Sequence, residues 1–571
     1  MTTVIAVRPQ LLRICRPSIS PPFKRIKLAR YGSTSRPKDY YCTTPIFYVN
    51  ADPHIGHLHS TLLADVYTRW NKLLEPERGA VMCTGTDEHG LKIQRVAQAK
   101  GIDPQELCDK VSQRFRDLVK AADVDATVFI RTTEERHRMA VEHVWTELEK
   151  RGYIYKSSYA GWYAVSDEAY YAENQVAETI DPKSGEKYMA SIETGTRVEW
   201  MEEENFKFKL SAFREPLIEW LSSTPNPVQP PSRTTALLAS LSHPSSTDLA
   251  DLSISRPLSR LTWGIPVPSN PVHTIYVWID ALVNYLTVAG YPWKDGENET
   301  WPPDLQVVGK DIIRFHALYL PAILLALDLP LPKHLLTHGH WTMDRFKMSK
   351  SRGNVANPFE AMSLWSTDAI RMYLMTKGGN SSNDADYSEG EIERFYKKEL
   401  AGQMGNLLAR VTGKKMVKKL GDERLMFTGP DMFELEDEEL VGLLKELPDA
   451  FAQHLSTFEI HRSLSLLFDA LAAANRHIQT LSPWLSTATP SEIHRSLYLS
   501  SEALRISGIL LQPFMPTKSK VLLDSLGVKE SDRGWEKAKF GQGGERGSIG
   551  IIKGGLWPQV ELPTPTVSST S

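Results

Sequence analysis

The sequence predicts an α/β protein in which a parallel sheet flanked by helices is split by a small inserted module and followed by an all-α helical bundle. Three observations predict this fold class. Strand-like runs alternate with helical patterns from Tyr40, and the alternation resumes at Thr274. The stretch between these two sections has short aromatic runs and turn-rich links. From about residue 396 to residue 526, apolar residues recur at helical spacing.

Length and composition indicate a large globular protein. The 571 residues suffice for about three or four domains, and 41 % hydrophobic with 24 % charged residues excludes wholesale disorder or a fibre. The longest uncharged apolar stretch, residues 317–327, is far shorter than the roughly 20 residues of a bilayer span, so we expect no membrane segment. The four cysteines form no Cys-x-x-Cys pair, which argues against a disulfide framework and a zinc knuckle.

The N-terminal segment has a composition of its own. Residues 1–38 carry nine Lys and Arg side chains and no acidic one, with Ser and Thr among them. This composition is typical of a mitochondrial transit peptide, which we place at residues 1–37; a basic tail that touches nucleic acid is the alternative. Removing these nine positive charges takes the formal charge from −3 to −12, so any polyanion must meet a local basic surface.

The first α/β section spans residues 38–152. Residues 40–49 have the pattern of a buried strand that passes through residues 50–57 into a helix. A second strand, residues 80–83, ends in the polar turn 84–90 and leads into another helical pattern. This βαβ alternation implies a parallel sheet with ligand-binding groups at the carboxyl ends of its strands.

The inserted module is predicted at residues 153–271. Within it, residues 222–247 are so rich in Ser, Thr and Pro that we expect a disordered loop. The remaining predicted segments are the second α/β half at 272–346, with strands at 274–279 and 305–308 and a helix at 312–327, then a loop region at 347–395, the helical domain at 396–562 and a disordered tail at 563–571.

The first chemical motif is His54-Ile55-Gly56-His57, which lies between a predicted strand and the start of a predicted helix. Backbone N–H groups and the positive end of the helix dipole meet there, so phosphate can dock. The two histidines add donors, and Gly56 lets a base or a phosphate approach the backbone. A metal pair and a simple helix cap are the alternatives, although no carboxylate follows as in His-Glu-x-x-His.

The second motif is Lys347-Met348-Ser349-Lys350-Ser351. Two lysines three residues apart in a Ser-containing loop can hold a polyphosphate as it moves, because lysine is a flexible point charge. An ordinary solvated basic loop is the alternative for such a pair. No Gly-x-x-x-x-Gly-Lys-Ser/Thr sequence is present, so P-loop hydrolysis is not supported, and the Gly-rich run 541–547 lacks dinucleotide-site spacing.

Together these motifs resemble the HIGH and KMSKS signatures of the class I aminoacyl-tRNA synthetases. The likeness is strongest to the methionyl branch and extends from Tyr40 to about Pro558. It implies a Rossmann-type catalytic domain split by a connective insertion, followed by a helical anticodon-binding domain. The strings that carry it are 44–50 before the first motif, 85–90, 161–163, 191–195, 251–256, 276–281 and 309–316.

The resemblance implies a methionine–tRNA ligase that uses ATP. Methionine's carboxylate would attack the α-phosphorus, pyrophosphate would leave, and the 3′ ribose of tRNA(Met) would then take the methionine. The histidines would serve the α-phosphate and the lysines the β- and γ-phosphates, with Mg²⁺ sharing the charge. The implied catalytic residues are His54, His57, Lys347 and Lys350, and the ATP-binding set adds Gly56 and Ser349.

The resemblance also implies a methionine pocket made of aromatic and polar side chains. Aromatic faces suit a polarizable thioether, which Tyr48 or His316 could hydrogen-bond weakly, and Asp87 could receive the ammonium group. Plain core packing is the alternative for any one of these aromatics. Relatives often carry zinc-binding cysteines in the insertion, but residues 163–168 have none, so we expect no zinc. The implied pocket is Ile46, Tyr48, Asp87, Trp278, Ala281, Tyr285, Ile312, Phe315 and His316.

The anticodon would be read by three residues of the helical domain. Asn406 and Arg410 are four apart on one predicted helix and share a face. Trp484, which we place at the start of a separate helix after Pro483, could stack on an unstacked base. The alternative is structural, with Trp484 plugging the bundle and Arg410 pairing with an acid.

Two rival functions stay open from the sequence. One is another class I synthetase for an apolar amino acid, although the insertion leaves little room for an editing domain. The other is a non-catalytic tRNA-binding protein that has kept the fold. The expected partners are methionine, ATP and tRNA(Met), for a monomer in the mitochondrial matrix.

Overall fold

The structure is a computed structural model, and it describes most of the chain after the basic N-terminus. The predicted transit peptide and the tail at 563–571 lie outside the described residues, as do Ser349 and Lys350 of the second motif. The described residues are 38–561, except for 165–168, 172, 182–184, 193, 243–248, 294–297, 299, 344, 349–354, 380–382, 421–428, 544–549, 551 and 553.

The strands belong to one large sheet and several small ones. In chain order they are β1 (Tyr40–Thr43), β2 (Phe47–Tyr48), β3 (Ala80–Asp87), β4 (Val128–Arg131), β5 (Ile154–Ala164), β6 (Ala169–Tyr171), β7 (Val176–Ile180), β8 (Lys187–Ser191), β9 (Glu199–Phe208), β10 (Val228–Gln229), β11 (Leu252–Ser253), β12 (Ser255–Pro257), β13 (His273–Ile275), β14 (Leu305–Gly309), β15 (Leu335–His338), β16 (Trp341–Met343), β17 (Phe346–Lys347) and β18 (Ala385–Asp386).

The helices flank the large sheet and then form the C-terminal bundle. They are α1 (Ile55–Leu74), α2 (Leu91–Lys100), α3 (Pro104–Ala121), α4 (Glu135–Lys150), α5 (Arg214–Leu221), α6 (Pro231–Ser242), α7 (Val277–Val288), α8 (Leu320–Ala326), α9 (Pro358–Trp365), α10 (Thr367–Gly378), α11 (Glu389–Phe395), α12 (Asn406–Val411), α13 (Lys414–Leu420), α14 (Glu438–Ser456), α15 (Ile460–Leu481), α16 (Pro490–Leu510) and α17 (Pro516–Ser525).

The large sheet is parallel throughout its described pairings, as the alternation predicts. Its order is β10, β15, β14, β1, β3 and β4, and β2 continues the line of β1 along the same edge of β3. All four residues of β1 are buried, which is usual for a parallel strand covered by helices on both faces. The motif at 54–57 follows β2, and those at 84–90 and 309–316 span the carboxyl ends of β3 and β14, so the fold gathers all three at one edge of the sheet.

Several predicted elements have different bounds in the structure. The second strand continues to Asp87 and includes most of the predicted polar turn. The predicted strand 274–279 is only His273–Ile275, and the apolar run beyond it is helix α7, because a helix buried on nearly every face has no polar side to mark its period. The predicted helix 312–327 is divided into a 3₁₀ turn at Lys310–Ile312, a π-helical turn at Phe315–Tyr319 and α8.

The expectation of a disordered loop at residues 222–247 is wrong for most of its length. Strand β10 pairs with β15 at the edge of the large sheet, and α6 follows it. Pro231 occupies the first helical turn, where its missing N–H costs nothing, and Leu237 and Leu241 are buried one turn apart. A prediction based on the high Ser, Thr and Pro content does not take account of these two leucines, which is why it indicated disorder. Residues 243–248 lie outside the described part.

The helical C-terminal region predicted from the apolar stripes is confirmed, and a buried arginine joins it to α1. Arg371 of α10 is fully buried, and its guanidinium lies 2.5 Å from the carboxylate of Asp65 on α1. It also donates to the carbonyl oxygens of Ala122, Pro513 and Phe514 at 2.8 to 3.0 Å. One guanidinium thus connects α1, the end of α3 and the turn before α17. Within the described residues, no helix is long and apolar enough to cross a membrane.

Candidate active site

The first motif builds the N-terminus of α1. His54 is the N-cap in extended conformation, and its Nδ1 accepts from the Gly56 N–H at 3.0 Å. The His54 N–H in turn donates to Nδ1 of His57 at 3.1 Å, which completes a reciprocal capping box, and the two rings stack with centroids 3.8 Å apart. The two histidines therefore cap α1, and their phosphate role stays a prediction.

The cap also fixes which ring nitrogen carries hydrogen. Because Nδ1 accepts from the backbone in both rings, a neutral His54 or His57 carries its proton on Nε2. Capping therefore uses Nδ1 of each ring and places the N–H donor on Nε2. Two Nε2–H donors beside the positive end of a 20-residue helix suit the stabilisation of an anion.

Gly56 is required by the geometry of this cap. A Cβ added at residue 56 would lie 2.9 Å from Cε1 of the His54 ring and 3.0 Å from its Nδ1. Any side chain there would push the imidazole away from the N–H that it caps. Gly56 therefore maintains the orientation of His54.

The second motif is described only in part. The backbone of Lys347 lies in β17, where it pairs with Thr342 of β16, and Met348 is buried in the main core. The loop that follows returns to the first motif, since the Ile55 N–H donates to the Ala356 carbonyl at 3.3 Å. A residue five positions after the second motif thus contacts the N-terminus of α1, while Ser349 and Lys350 lie outside the described residues.

The predicted methionine pocket comes from strands β2 and β3, helix α7 and the turns after β14. Tyr48 of β2 pairs in register with Asp87 at the end of β3, and Ile46 packs against the hydrophobic cluster that contains Tyr285. Helix α7 contributes Trp278, Ala281 and Tyr285. The turns after β14 supply Ile312, Phe315 and His316, and the centroids of Phe315 and Trp278 are 6.4 Å apart.

A chain of hydrogen bonds defines the state of His316. Its Nδ1 lies 3.0 Å from the Ile312 carbonyl and must donate to it, so the neutral ring accepts at Nε2 from the Tyr285 hydroxyl at 2.7 Å. Burial lowers the pKa of His316 to about 4, which keeps the ring neutral. Both nitrogens are therefore engaged, and the expectation that His316 itself hydrogen-bonds a thioether is not supported by this geometry.

Sequence reasoning missed the polar network that holds α7 against β3. Asp280 is fully buried and accepts from His89 at 2.6 Å and from His137 at 2.7 Å. Burial alone would raise the pKa of Asp280, but the two imidazoles outweigh it and lower the pKa to about 2. A carboxylate in the apolar run of α7 was the available signal for this network. Since Asp280 precedes Ala281 and His89 follows Asp87 by two residues, the network joins the two sides of the pocket.

A second unpredicted network fixes the turn after β3. Glu88 is fully buried, and its carboxylate accepts from Arg131 at 2.7 and 3.0 Å and from the hydroxyls of Thr86 and Thr133. The Glu88 N–H donates to Thr132. Glu88 has its charge paired and its oxygens hydrogen-bonded, so it fixes the backbone immediately after Asp87.

The three predicted anticodon residues lie together on the bundle. Asn406 and Arg410 share helix α12, and the guanidinium of Arg410 lies 5.3 Å from the centre of the Trp484 ring. Trp484 stands in the turn between α15 and α16 and not at a helix start, since α16 begins only at Pro490. The ring is 37 % exposed, so it does not plug the bundle.

Comparison with known proteins decides the family. The model of class I tRNA synthetases (M) matches residues 40–412, and the model of the anticodon-binding domain of methionyl tRNA ligase matches residues 429–542. The "Methionine–tRNA ligase, mitochondrial" of Xenopus laevis is 42 % identical over 547 residues, covering 94 % of this chain and 95 % of its own.

The chain belongs to the class I methionine–tRNA ligases. A Neurospora crassa protein named "Probable methionine–tRNA ligase, mitochondrial" is also 42 % identical, across 94 % of this chain and 88 % of its own length. The methionyl-tRNA synthetase of Mycobacterium tuberculosis, solved with methionyl-adenylate, superposes with a TM-score of 0.82 at 33 % identity, covering 91 % of this chain and 100 % of that one. The family likeness and the Rossmann-type fold predicted from the sequence are confirmed.

Proposed function

We propose that this chain activates methionine with ATP and transfers it to the 3′ end of tRNA(Met) for translation in the mitochondrial matrix. The observation that carries the proposal is the N-terminus of α1. There, two stacked histidines cap the helix through Nδ1 and thereby keep both Nε2 atoms as donors. The family membership supplies the reaction in which such donors act.

Activation needs positioning and charge stabilisation more than proton transfer. Methionine's carboxylate is ionised at neutral pH and attacks the α-phosphorus directly, so no general base is required. His54 and His57 stabilise the charge that develops on the α-phosphate oxygens. Lys347 and Lys350 hold the β- and γ-phosphates as they become pyrophosphate, and Gly56 and Ser349 complete the ATP site.

Mg²⁺ belongs to this proposal as the partner of ATP. Among the described residues, no three His, Cys, Asp or Glu side chains form a group that could hold a metal ion. Mg²⁺ is ordinarily held by substrate phosphates and few protein ligands. When bound, it would share the charge of the β- and γ-phosphates.

Methionine selection rests on the pocket between β3, α7 and the turns after β14. Asp87 receives the ammonium group, and Trp278 and Phe315 give aromatic walls to the side chain. The Tyr285 hydroxyl directs its proton to His316, so its oxygen can offer the thioether only lone pairs. Of the predicted donors, the Tyr48 hydroxyl is therefore the one that donates a hydrogen bond to the methionine sulfur.

The test is ATP–pyrophosphate exchange with each of the twenty amino acids, followed by charging of tRNA with a CAU anticodon. We expect exchange with methionine alone and charging of that tRNA. Exchange driven by another amino acid would indicate a different class I specificity, and tRNA binding without any exchange would indicate a non-catalytic tRNA-binding protein.

Localisation is tested separately with a chain that begins at Lys38. This truncated protein should charge tRNA as well as the full chain but remain in the cytosol when expressed in cells. Import of the truncated protein into mitochondria would contradict the assignment of residues 1–37 as the transit peptide.

A further inference from the structure

Helix α13 presents a group of lysines beside the predicted anticodon residues. Lys414, Lys415, Lys418 and Lys419 are all exposed, and Lys414 and Lys418 are one helical turn apart, as are Lys415 and Lys419. Met416 is buried in the main core and fixes the orientation of the helix. Lys414, Lys415 and Lys418 are called the lysine strip below.

The lysine strip is not neutralised within the described chain. Its three ammonium groups form no ion pair among the described residues, whereas many other basic side chains do, for example Lys397 with Glu393 and Lys310 with Asp384. The body after residue 38 carries a formal charge of −12 on the count above. A local set of unpaired cations on an acidic body marks a surface for a polyanion.

The fourth lysine connects this helix to Trp484. Lys419 Nζ donates to the carbonyl oxygens of Pro483 at 2.8 Å and Leu485 at 2.6 Å, the residues on either side of Trp484. Arg410 of α12 contacts the ring of the same tryptophan. The exposed indole thus lies between Arg410 of α12 and Lys419 of α13. The lysine strip is on α13, the same helix as Lys419.

We propose that Lys414, Lys415 and Lys418 bind the phosphates of the anticodon stem of tRNA, next to the loop whose base stacks on Trp484. The inference rests on the proposed function. An exposed aromatic ring against an arginine suits an unstacked base. Adjacent lysines that pair with no carboxylate among the described residues suit the phosphate backbone that leads to that base. The strip also lies at residues 413–428, which neither family model covers, so the family match does not assign it.

Lys419 has a different task from the lysine strip. Its ammonium group is already bonded to two carbonyls, so it positions the Trp484 turn and does not neutralise phosphate. Lys419→Met should therefore reduce tRNA charging while leaving the salt dependence of tRNA binding unchanged. A fall in the salt dependence equal to that of a strip lysine would refute the positioning role.

The main test removes the strip in the full enzyme as Lys414→Ala/Lys415→Ala/Lys418→Ala. Binding of a stem–loop RNA with a CAU anticodon is measured from about 50 to 200 mM salt. Losing three phosphate contacts should make the negative slope of log K against log salt less steep by about 2, at roughly 0.7 per contact. It should also raise the KM for tRNA about tenfold. ATP–pyrophosphate exchange, which involves no tRNA, monitors folding.

A charge-matched control separates the strip from net charge. Lys100→Ala/Lys120→Ala/Lys445→Ala removes three exposed lysines that lie on three different helices, and should change neither the slope nor the KM. If the strip variant loses exchange, the single substitution Lys418→Gln is used, and it should lower the slope by about 0.7.

tRNA charging by the wild-type enzyme distinguishes failure of the strip proposal from failure of the proposed function. If the wild-type enzyme charges tRNA and the strip variant retains its slope and KM, the strip proposal is overturned and the function stands. Equal loss of binding to an acceptor-stem minihelix would also overturn it. A wild-type protein that charges no tRNA would instead refute the proposed function.

Discussion

We propose that His54, which caps α1, also binds phosphate there, and the choice of substitution separates these two roles. As an N-cap, its Nδ1 satisfies the Gly56 N–H at 3.0 Å, and loss of such a cap costs about 1 kcal/mol of stability. As a phosphate donor, its Nε2–H acts in the transition state, where loss of one such donor costs about 10² to 10³ in kcat, or roughly 3 to 4 kcal/mol.

Asparagine is the substitution that distinguishes these roles. Its side-chain oxygen caps a helix as well as any residue, but it does not extend to the position of Nε2. We therefore expect His54→Asn to keep the stability of the wild type and to lose about 10² or more in the kcat of ATP–pyrophosphate exchange. His54→Ala should lose both, with the stability change measured as a shift of the urea unfolding midpoint.

A cap elsewhere in the chain provides the matched control. Thr489 caps α16 and forms a capping box with Glu492, at an exposed site on the helical bundle. Thr489→Ala should lower stability by about 1 kcal/mol, as His54→Ala does, and leave the exchange rate unchanged. Wild-type exchange by His54→Asn would show that His54 is only a cap and would refute the phosphate role.

Three further outcomes follow from the geometry. The folded pKa of His316, about 4, lies below the ordinary 6.5, so between these values the unfolded chain binds more protons and stability falls as the pH drops. His316→Gln should remove about 2 kcal/mol of this loss between pH 6.5 and 4.5, measured by urea unfolding, and an unchanged pH dependence would contradict it. Trp278→Ala should raise the KM for methionine about 10²-fold through loss of an aromatic wall, whereas normal methionine activation would make Trp278 a core residue. Trp484→Ala should reduce charging and spare exchange, since a base stack is worth roughly 1 to 3 kcal/mol; equal losses in both assays would mean a folding defect.

The sequence was most informative where local patterns decide the structure. The strand, motif and helix around His54 are contiguous, so periodicity and capping chemistry predict their arrangement directly. The same holds for Asn406 and Arg410, whose spacing of four residues places them on one helix. The parallel sheet followed from alternation alone, because parallel strands need crossover helices.

The polar networks could not be predicted because their partners are distant in sequence. Asp280 meets His89 and His137 across 191 and 143 residues, and no local pattern selects two histidines from the 16 in the chain. The loop prediction at 222–247 failed for a related reason. Its leucines form a helix only because β10 and α6 pack onto the edge of the large sheet, and such tertiary packing outweighs composition.

The buried ion pair of Arg371 and Asp65 connects the two halves of the proposed function. Helix α1 has His54 and His57 at its N-terminus and, eight residues after His57, the carboxylate of Asp65 that Arg371 holds. The same guanidinium binds the carbonyls of Pro513 and Phe514, which lead into the last helix of the bundle. A charge removed from water is tolerated only when all its hydrogen bonds are made, so this junction admits little rearrangement. Helix α1, at which we propose the α-phosphate site, and the bundle that carries Trp484 are therefore fixed to one another. Under the proposed function, a tRNA whose anticodon lies on the bundle would meet the active site at a set distance.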